Sequence, residues 1–266
     1  MQKFDPINER KYWLDVGLKS NTNFEPDEIG PLGRPTYVAV TVDSLIGAYF
    51  FGLGEEVRPA IEKIIAWMEA QPSIEPRQFS AKFGHWRAGW SALYRWRTTL
   101  GLCKWLSRGD PAEMDFIGAL DADWQSWTMI SPKDAALDRG EQQDNLSEQL
   151  AVALAAKEPG RGLKLVAAAD VKEPFEHEAP LLKFGEWACR HLASGGKRDA
   201  TFIENGAQML SASLLANFFS TGNRTEPALW LKAIYWDSGV ARTPEQAIVR
   251  AYDCMPGITR PDFVSV

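Results

Sequence analysis

The stretch Gly84–Gly101, GHWRAGWSALYRWRTTLG, decides how this chain is read. Three tryptophans, a tyrosine and three arginines fall within its eighteen residues. Aromatics interleaved with arginine can stack on bases and grip phosphates. They can equally form the packed seam of an amphipathic helix. At roughly 100° per residue, residues 78–107 place Phe83, Trp86, Trp90, Leu93, Leu100 and Cys103 on one broad face, with Trp96 at its margin. Arg95 points to water and Arg87 sits at the edge. The spacing therefore predicts a helix whose tryptophans are core, not a stacking platform. Arg97 is the exception, because it falls inside the apolar arc. A buried guanidinium is costly without a carboxylate or several carbonyls to receive it.

The charge map suggests where that carboxylate lies. Residues 77–108 hold seven bases and no acid, whereas 110–148 hold ten acids against two bases, Lys133 and Arg139. The two blocks abut at Arg108-Gly109-Asp110, a junction that predicts an antiparallel helical hairpin. Equal rise along both helices sets Arg97 opposite Asp121 and Asp123, and this trio is the expected structural ion pair. Ile117, Leu120, Trp124 and Trp127 turn inward on the second helix, and these tryptophans are expected to be structural as well. Internal pairing does not consume the acidic block. An acidic surface is expected around Asp115, Asp134, Asp138, Glu141, Asp144 and Glu148. It is either a solvated face or a docking surface for a basic partner, since a one-signed patch steers association.

Outward from this hairpin, nearly every periodic segment reads as helix, with Pro or Gly between segments. The predicted helices are 7–19, 36–51, 56–70, 78–107, 111–127, 142–156, 162–169, 180–193, 198–220, 227–236 and 244–254. Asp110-Pro111-Ala112-Glu113 and Thr243-Pro244-Glu245 both carry a capping residue followed by Pro at the first helical position. Tyr37–Val42 is the one strand candidate, and helix is the favoured reading there. Residues 21–35 and 128–145 read as long polar connections, which tend to be functional or disordered. The expectation is an all-α protein, a single globular domain of packed antiparallel hairpins, with possible subdomains 1–109 and 110–266. No repeat of fixed period emerges.

The 266 residues suffice for a sizeable core, and eleven Trp and thirteen Phe indicate a folded chain. A net charge of −6 disfavours non-specific nucleic-acid or anionic-membrane binding. Cys103, Cys189 and Cys254 are odd in number and far apart, so no disulfide framework suggests itself. The N-terminal residues lack a secretory apolar core, and polar residues interrupt the apolar run at 37–53. A soluble cytoplasmic protein is the expectation.

Familiar catalytic patterns are incomplete. His177-Glu178 would need His at 181, where Leu181 stands. Gly195-Gly196-Lys197 resembles a phosphate loop, but Arg198 replaces the required hydroxyl residue and His191 the first glycine. Gly89-Trp90-Ser91 lacks the closing glycine of a nucleophile elbow, with Leu93 in its place. Asp121 and Asp123 could form a carboxylate dyad, but further acidic helix positions are missing. His85, His177 and His191 are too widely separated for a local metal site. Cys103 reads as a small core residue, and Met209–Phe219 as part of a central buried helix. No catalytic residue, metal or cofactor is expected.

An acidic, Trp-rich, mostly helical chain with such a middle region, Asp110 to Glu148 beside Trp124 and Trp127, resembles the immunity proteins of bacterial polymorphic-toxin and type VI secretion systems. The resemblance lies in overall character. It implies a protein that binds one cognate cytosolic-acting toxin, often a basic nuclease, and occludes its active site. The incomplete motifs and the net charge add the expectation of no catalytic activity and no nucleic-acid or membrane partner. Two other classes stay open. A helical-repeat-like scaffold would bind an extended peptide along a concave groove. A helical enzyme or small-molecule binder would carry a deep pocket with convergent polar groups.

Overall fold

The computed structural model describes residues 6–25, 34–70, 99–109, 139–169, 179–220, 225–253 and 259–265. Every regular element among them is helical, as the periodicity predicted. The chain divides into two compact units, Met1–Glu113 with Arg260–Val266, and Met114–Thr259.

In the first unit, α1 (Pro6–Tyr12) runs through a π turn (Trp13–Gly17) into α2 (Leu18–Asn21). The Leu18 amide donates to the Trp13 carbonyl five residues back, which widens the helix there. Next come α3 (Arg34–Phe50), α4 (Gly54–Ala70) and α5, the helical residues 99–108. The strand candidate at Tyr37–Val42 is thus part of α3. Its Val38 and Val42 are fully buried with Leu45, Ile46 and Tyr49, at spacings of three and four that only a helix turns to one side.

Tight packing forms at the α3–α4 turn. Gly52 adopts a φ of +67° and closes α3, its amide donating to the Tyr49 carbonyl while that of Leu53 donates to Ala48. The backbone of Phe263 occupies the space a Cβ at Gly52 would need. The C-terminal segment is therefore folded onto this turn. Arg10 reinforces the arrangement, as its Nε donates to the Phe51 carbonyl at 3.0 Å and its guanidinium lies 4.9 Å from the Phe263 ring centre. Phe24, in the described part of the 21–35 connection, is buried edge-on against Trp67.

The second unit contains α6 (Arg139–Ala155), α7 (Pro159–Ala169), α8 (Ala179–Ala193), α9 (Ala200–Ser220), α10 (Thr225–Leu231), a π turn (Lys232–Trp236) and α11 (Pro244–Asp253). The centre is α6, which packs against α7, α8, α10 and the π turn. Leu150 to Ala155 are accordingly buried on all sides. Helix starts follow their capping residues. Asp199 Oδ1 accepts from the Phe202 amide at 3.1 Å, and Thr243 Oγ1 from that of Gln246 at 3.2 Å, with Pro244 at the first helical position. Helix α6 starts three residues before the expected Gln142, so 139–145 are helical and not part of a connection. Glu141, Gln142 and Gln143 are good helix formers, which favours the longer helix.

Three C-termini in this unit close with paired reverse hydrogen bonds around a residue of positive φ: Lys157 after α6, Gly195 after α8 and Gly239 after the π turn. Lys157, at φ +61°, is the exception in carrying a side chain. A left-handed conformation costs an L-residue about 1–2 kcal/mol, part of which glycine returns in chain entropy. Lys157→Gly is expected to raise stability by about 0.5–1 kcal/mol, measured as the shift in urea midpoint at constant slope.

Candidate functional site

The acidic surface inferred from sequence lies largely outside the described residues. Asp115, Asp134 and Asp138 fall there entirely, as do Arg97, Asp121 and Asp123 of the expected ion pair, and Trp86, Trp90, Trp124 and Trp127. Glu141, Asp144 and Glu148 stand on α6. At roughly 100° per residue these three backbone positions share one side of its first turns.

The basic block that precedes the acidic one is described from residue 99 onward. Thr99, Leu102, Cys103, Lys104, Trp105 and Leu106 of α5 are all buried, while Leu100, expected in the core, is half-buried. The end of this helix is thus enclosed on more than the one broad face that the wheel assigned. Tyr49 Oη ties it to α3 by donating to the Leu106 carbonyl at 3.1 Å. Its cations find partners on α4. Lys104 Nζ lies 2.7 Å from Glu69 Oε1. Arg108 clasps both Glu62 oxygens, with Nε 3.0 Å from Oε1, and Ser107 donates to the same carboxylate.

The hydrogen bonds from Arg108 hold Glu62 below the ordinary carboxylate range, against a desolvation that raises it. A depressed folded-state pKa contributes stability above the unfolded value, lost as pH falls through the folded one. Glu62 and Arg108 side chains keep 38% and 44% of their exposure, so screening limits the contribution to about 0–1 kcal/mol. Glu62→Gln is expected to flatten the acid limb of stability against pH below about 4.5, measured by urea unfolding. An unchanged acid limb would show that this clasp contributes nothing.

In the second unit the polar chemistry gathers at the C-terminal end of α6. Lys232, in the apolar run Ala228-Leu-Trp-Leu-Lys-Ala-Ile-Tyr-Trp236, is buried with its Nζ 3.2 Å from Asp237 Oδ1 and 3.3 Å from the Ala155 carbonyl. The two side chains keep 1% and 3% of their exposure. Residues five apart stand roughly 140° apart on an α-helix. The wider π turn, closed by the Asp237 amide on the Lys232 carbonyl at 3.0 Å, brings these two to the same side. Arg198 reaches in from the α8–α9 connection, its Nη2 donating to the Leu154 carbonyl. Two cations thus answer the last carbonyls of α6, where the helix dipole favours positive charge. Burial pushes the Asp237 carboxyl up and the Lys232 ammonium down, and their mutual attraction opposes both.

Beside this cluster, Phe184 packs against Trp187, Phe202 and Trp230 at ring distances of 5.6 to 5.8 Å. His191 stacks on Trp187 at 5.3 Å, and its Nε2 lies 2.8 Å from the Lys197 carbonyl. This histidine fastens the Gly195-Gly196 turn to α8. The glycines are therefore a helix terminus, which gives the resemblance to a phosphate loop its structural explanation. Cys103 is fully buried, as expected, and its thiol is pushed well above the ordinary value. Burial raises Cys189 to about 12, so neither sulfur is a thiolate near neutral pH. His85, His177 and Cys254 lie outside the described residues. Among those described, no group of three or more His, Cys, Asp and Glu could hold a metal ion, and no helix is long and apolar enough to cross a membrane.

Comparison with protein-family models, with curated protein sequences and with solved structures finds no match.

Sequence reasoning missed the Arg198–Lys232–Asp237 cluster. A signal was present in Lys232, a single cation within an apolar run, the same kind of anomaly that singled out Arg97.

Proposed function

We propose that this chain is an immunity-type inhibitor, which captures a basic protein toxin through the acidic surface of residues 110–148 and blocks its active site. The observation that carries the reading is a charge balance. Residues 110–148 hold ten acids against two bases, a net of −8. The adjoining basic block could have absorbed that charge. Glu62 and Glu69 of α4, both outside the acidic block, pair with two of the basic block's cations, Arg108 and Lys104. The more of the block α4 neutralises, the more of the acidic charge is left for a partner. The backbone positions of Glu141, Asp144 and Glu148 fall on one side of the start of α6.

A one-signed surface accelerates encounter with an oppositely charged partner in a salt-dependent manner, while well-packed contacts govern dissociation. Co-expression with the neighbouring effector gene is the direct test, read as survival and as complex formation. The native chain is expected to protect and to bind. Reversing Asp138, Glu141 and Asp144 together to lysine is expected to slow association by tenfold or more at low salt, with folding retained. Absence of both binding and protection by the native chain removes the proposal. Undiminished capture by the reversed form keeps the function and discards this surface.

A further inference from the structure

Three segments distant in sequence meet at the C-terminus of α6. They are the α6 end itself (Leu154 and Ala155), the connection after α8 (Arg198) and the π turn with its exit (Lys232 and Asp237). Each of the last two leads into or out of a helix terminus closed by backbone and side-chain hydrogen bonds. After α8 these include Gly195 N–H to Leu192 and Gly196 N–H to His191, with His191 Nε2 against the Lys197 carbonyl. After the π turn they include Gly239 N–H to Trp236 and Val240 and Ala241 N–H to Tyr235, with Ser238 Oγ donating to the Ile234 and Tyr235 carbonyls. We infer that Arg198, Lys232 and Asp237 form a conformational lock on the end of α6, through which the turn after α8 and the turn after the π helix open and close as one unit.

The geometry supplies both coupling and readiness to open. Coupling follows because Arg198 and Lys232 bind successive carbonyls of the same helix end and share one counter-charge. Removing either cation exposes those carbonyls and leaves Asp237 less well balanced. Readiness follows from the cluster's incomplete pairing. Arg198 Nε and Asp237 Oδ2 are buried and find no hydrogen-bond partner. Both regain hydration when the lock opens, which lowers the cost of opening relative to a fully satisfied cluster. Lys157 adds a third positive charge near Asp237 and Lys232, and Asp199 is engaged as the cap of α9. Such locally opening segments are a recognised unit of native-state dynamics.

Native-state hydrogen exchange of the full chain tests the lock by reading each turn after a change in the other. Arg198→Met is expected to accelerate exchange at Gly239, Val240 and Ala241 at least tenfold. Asp237→Asn is expected to do the same at Gly195 and Gly196. Ala188, buried in the middle of α8 in the same unit, serves as the reference and is expected to change less than threefold. Acceleration confined to the turn that carries the substitution overturns the inference. So does an equal acceleration at Ala188, which would report unfolding of the whole second unit. Should Asp237→Asn fail to fold, Arg198→Met decides alone, because its half-buried side chain is the most dispensable of the three.

Discussion

Lys232→Ala is expected to lower the unfolding free energy by about 3–5 kcal/mol, the range for removing one partner of a buried ion pair. The substitution leaves Asp237 enclosed with one buried oxygen already lacking a partner, and strips the Ala155 carbonyl of its donor. Arg198 softens the loss by its positive charge near Asp237, which places the effect toward the lower end. The double variant Lys232→Met/Asp237→Leu is expected to cost less than either single change, because the desolvation of both charges disappears with their attraction. Urea unfolding of the native chain, Lys232→Met, Asp237→Leu and the double variant gives the cycle. A single-variant loss below about 1 kcal/mol would mean the pair behaves as a hydrated surface pair.

The second large effect is expected at Trp230. Its side chain is fully enclosed, in ring contact with Phe184 at 5.8 Å. A Cβ placed on Gly185 would lie 3.0 Å from its ring and 3.0 Å from Leu150 Cδ1, so α6, α8 and α10 meet around this indole. Trp230→Ala is expected to cost about 3–5 kcal/mol, the transfer free energy of the ring plus the cavity left behind. Trp230 Nε1 has no hydrogen-bond partner, so the loss contains no broken hydrogen bond and Trp230→Phe is expected to retain most of the stability. The urea midpoints of both variants check this. A Phe variant as unstable as the Ala variant would show that the indole nitrogen is engaged after all.

The helices were legible because their signals are local. Thr243-Pro244-Glu245 starts α11 through a cap and a proline acting within one turn. Val38, Val42 and Leu45 show their helical face by spacing alone. The ends were less legible. Lys157 takes a conformation that composition assigns to glycine, and Gly195-Gly196-Lys197 carries the composition of an anion loop while serving as a helix terminus. The Lys232–Asp237 pair was illegible because the π turn that brings the two together follows from packing against α6 and has no reliable sequence signature.

What the sequence by itself determined is the helical character, the position of most helices and the opposition of a basic block to an acidic one. These depend on propensities and on interactions within about four residues along the chain. Only the tertiary structure decided which charge meets which. Lys104 and Arg108 meet Glu69 and Glu62 of α4, some forty residues back along the chain. Arg198 and Lys232 converge on carbonyls 44 and 77 residues away. Charge attracts without direction and falls off slowly, so a sequence offers each cation many carboxylates. Packing selects among them, because a side chain reaches only what the helices enclosing it bring within a few ångströms.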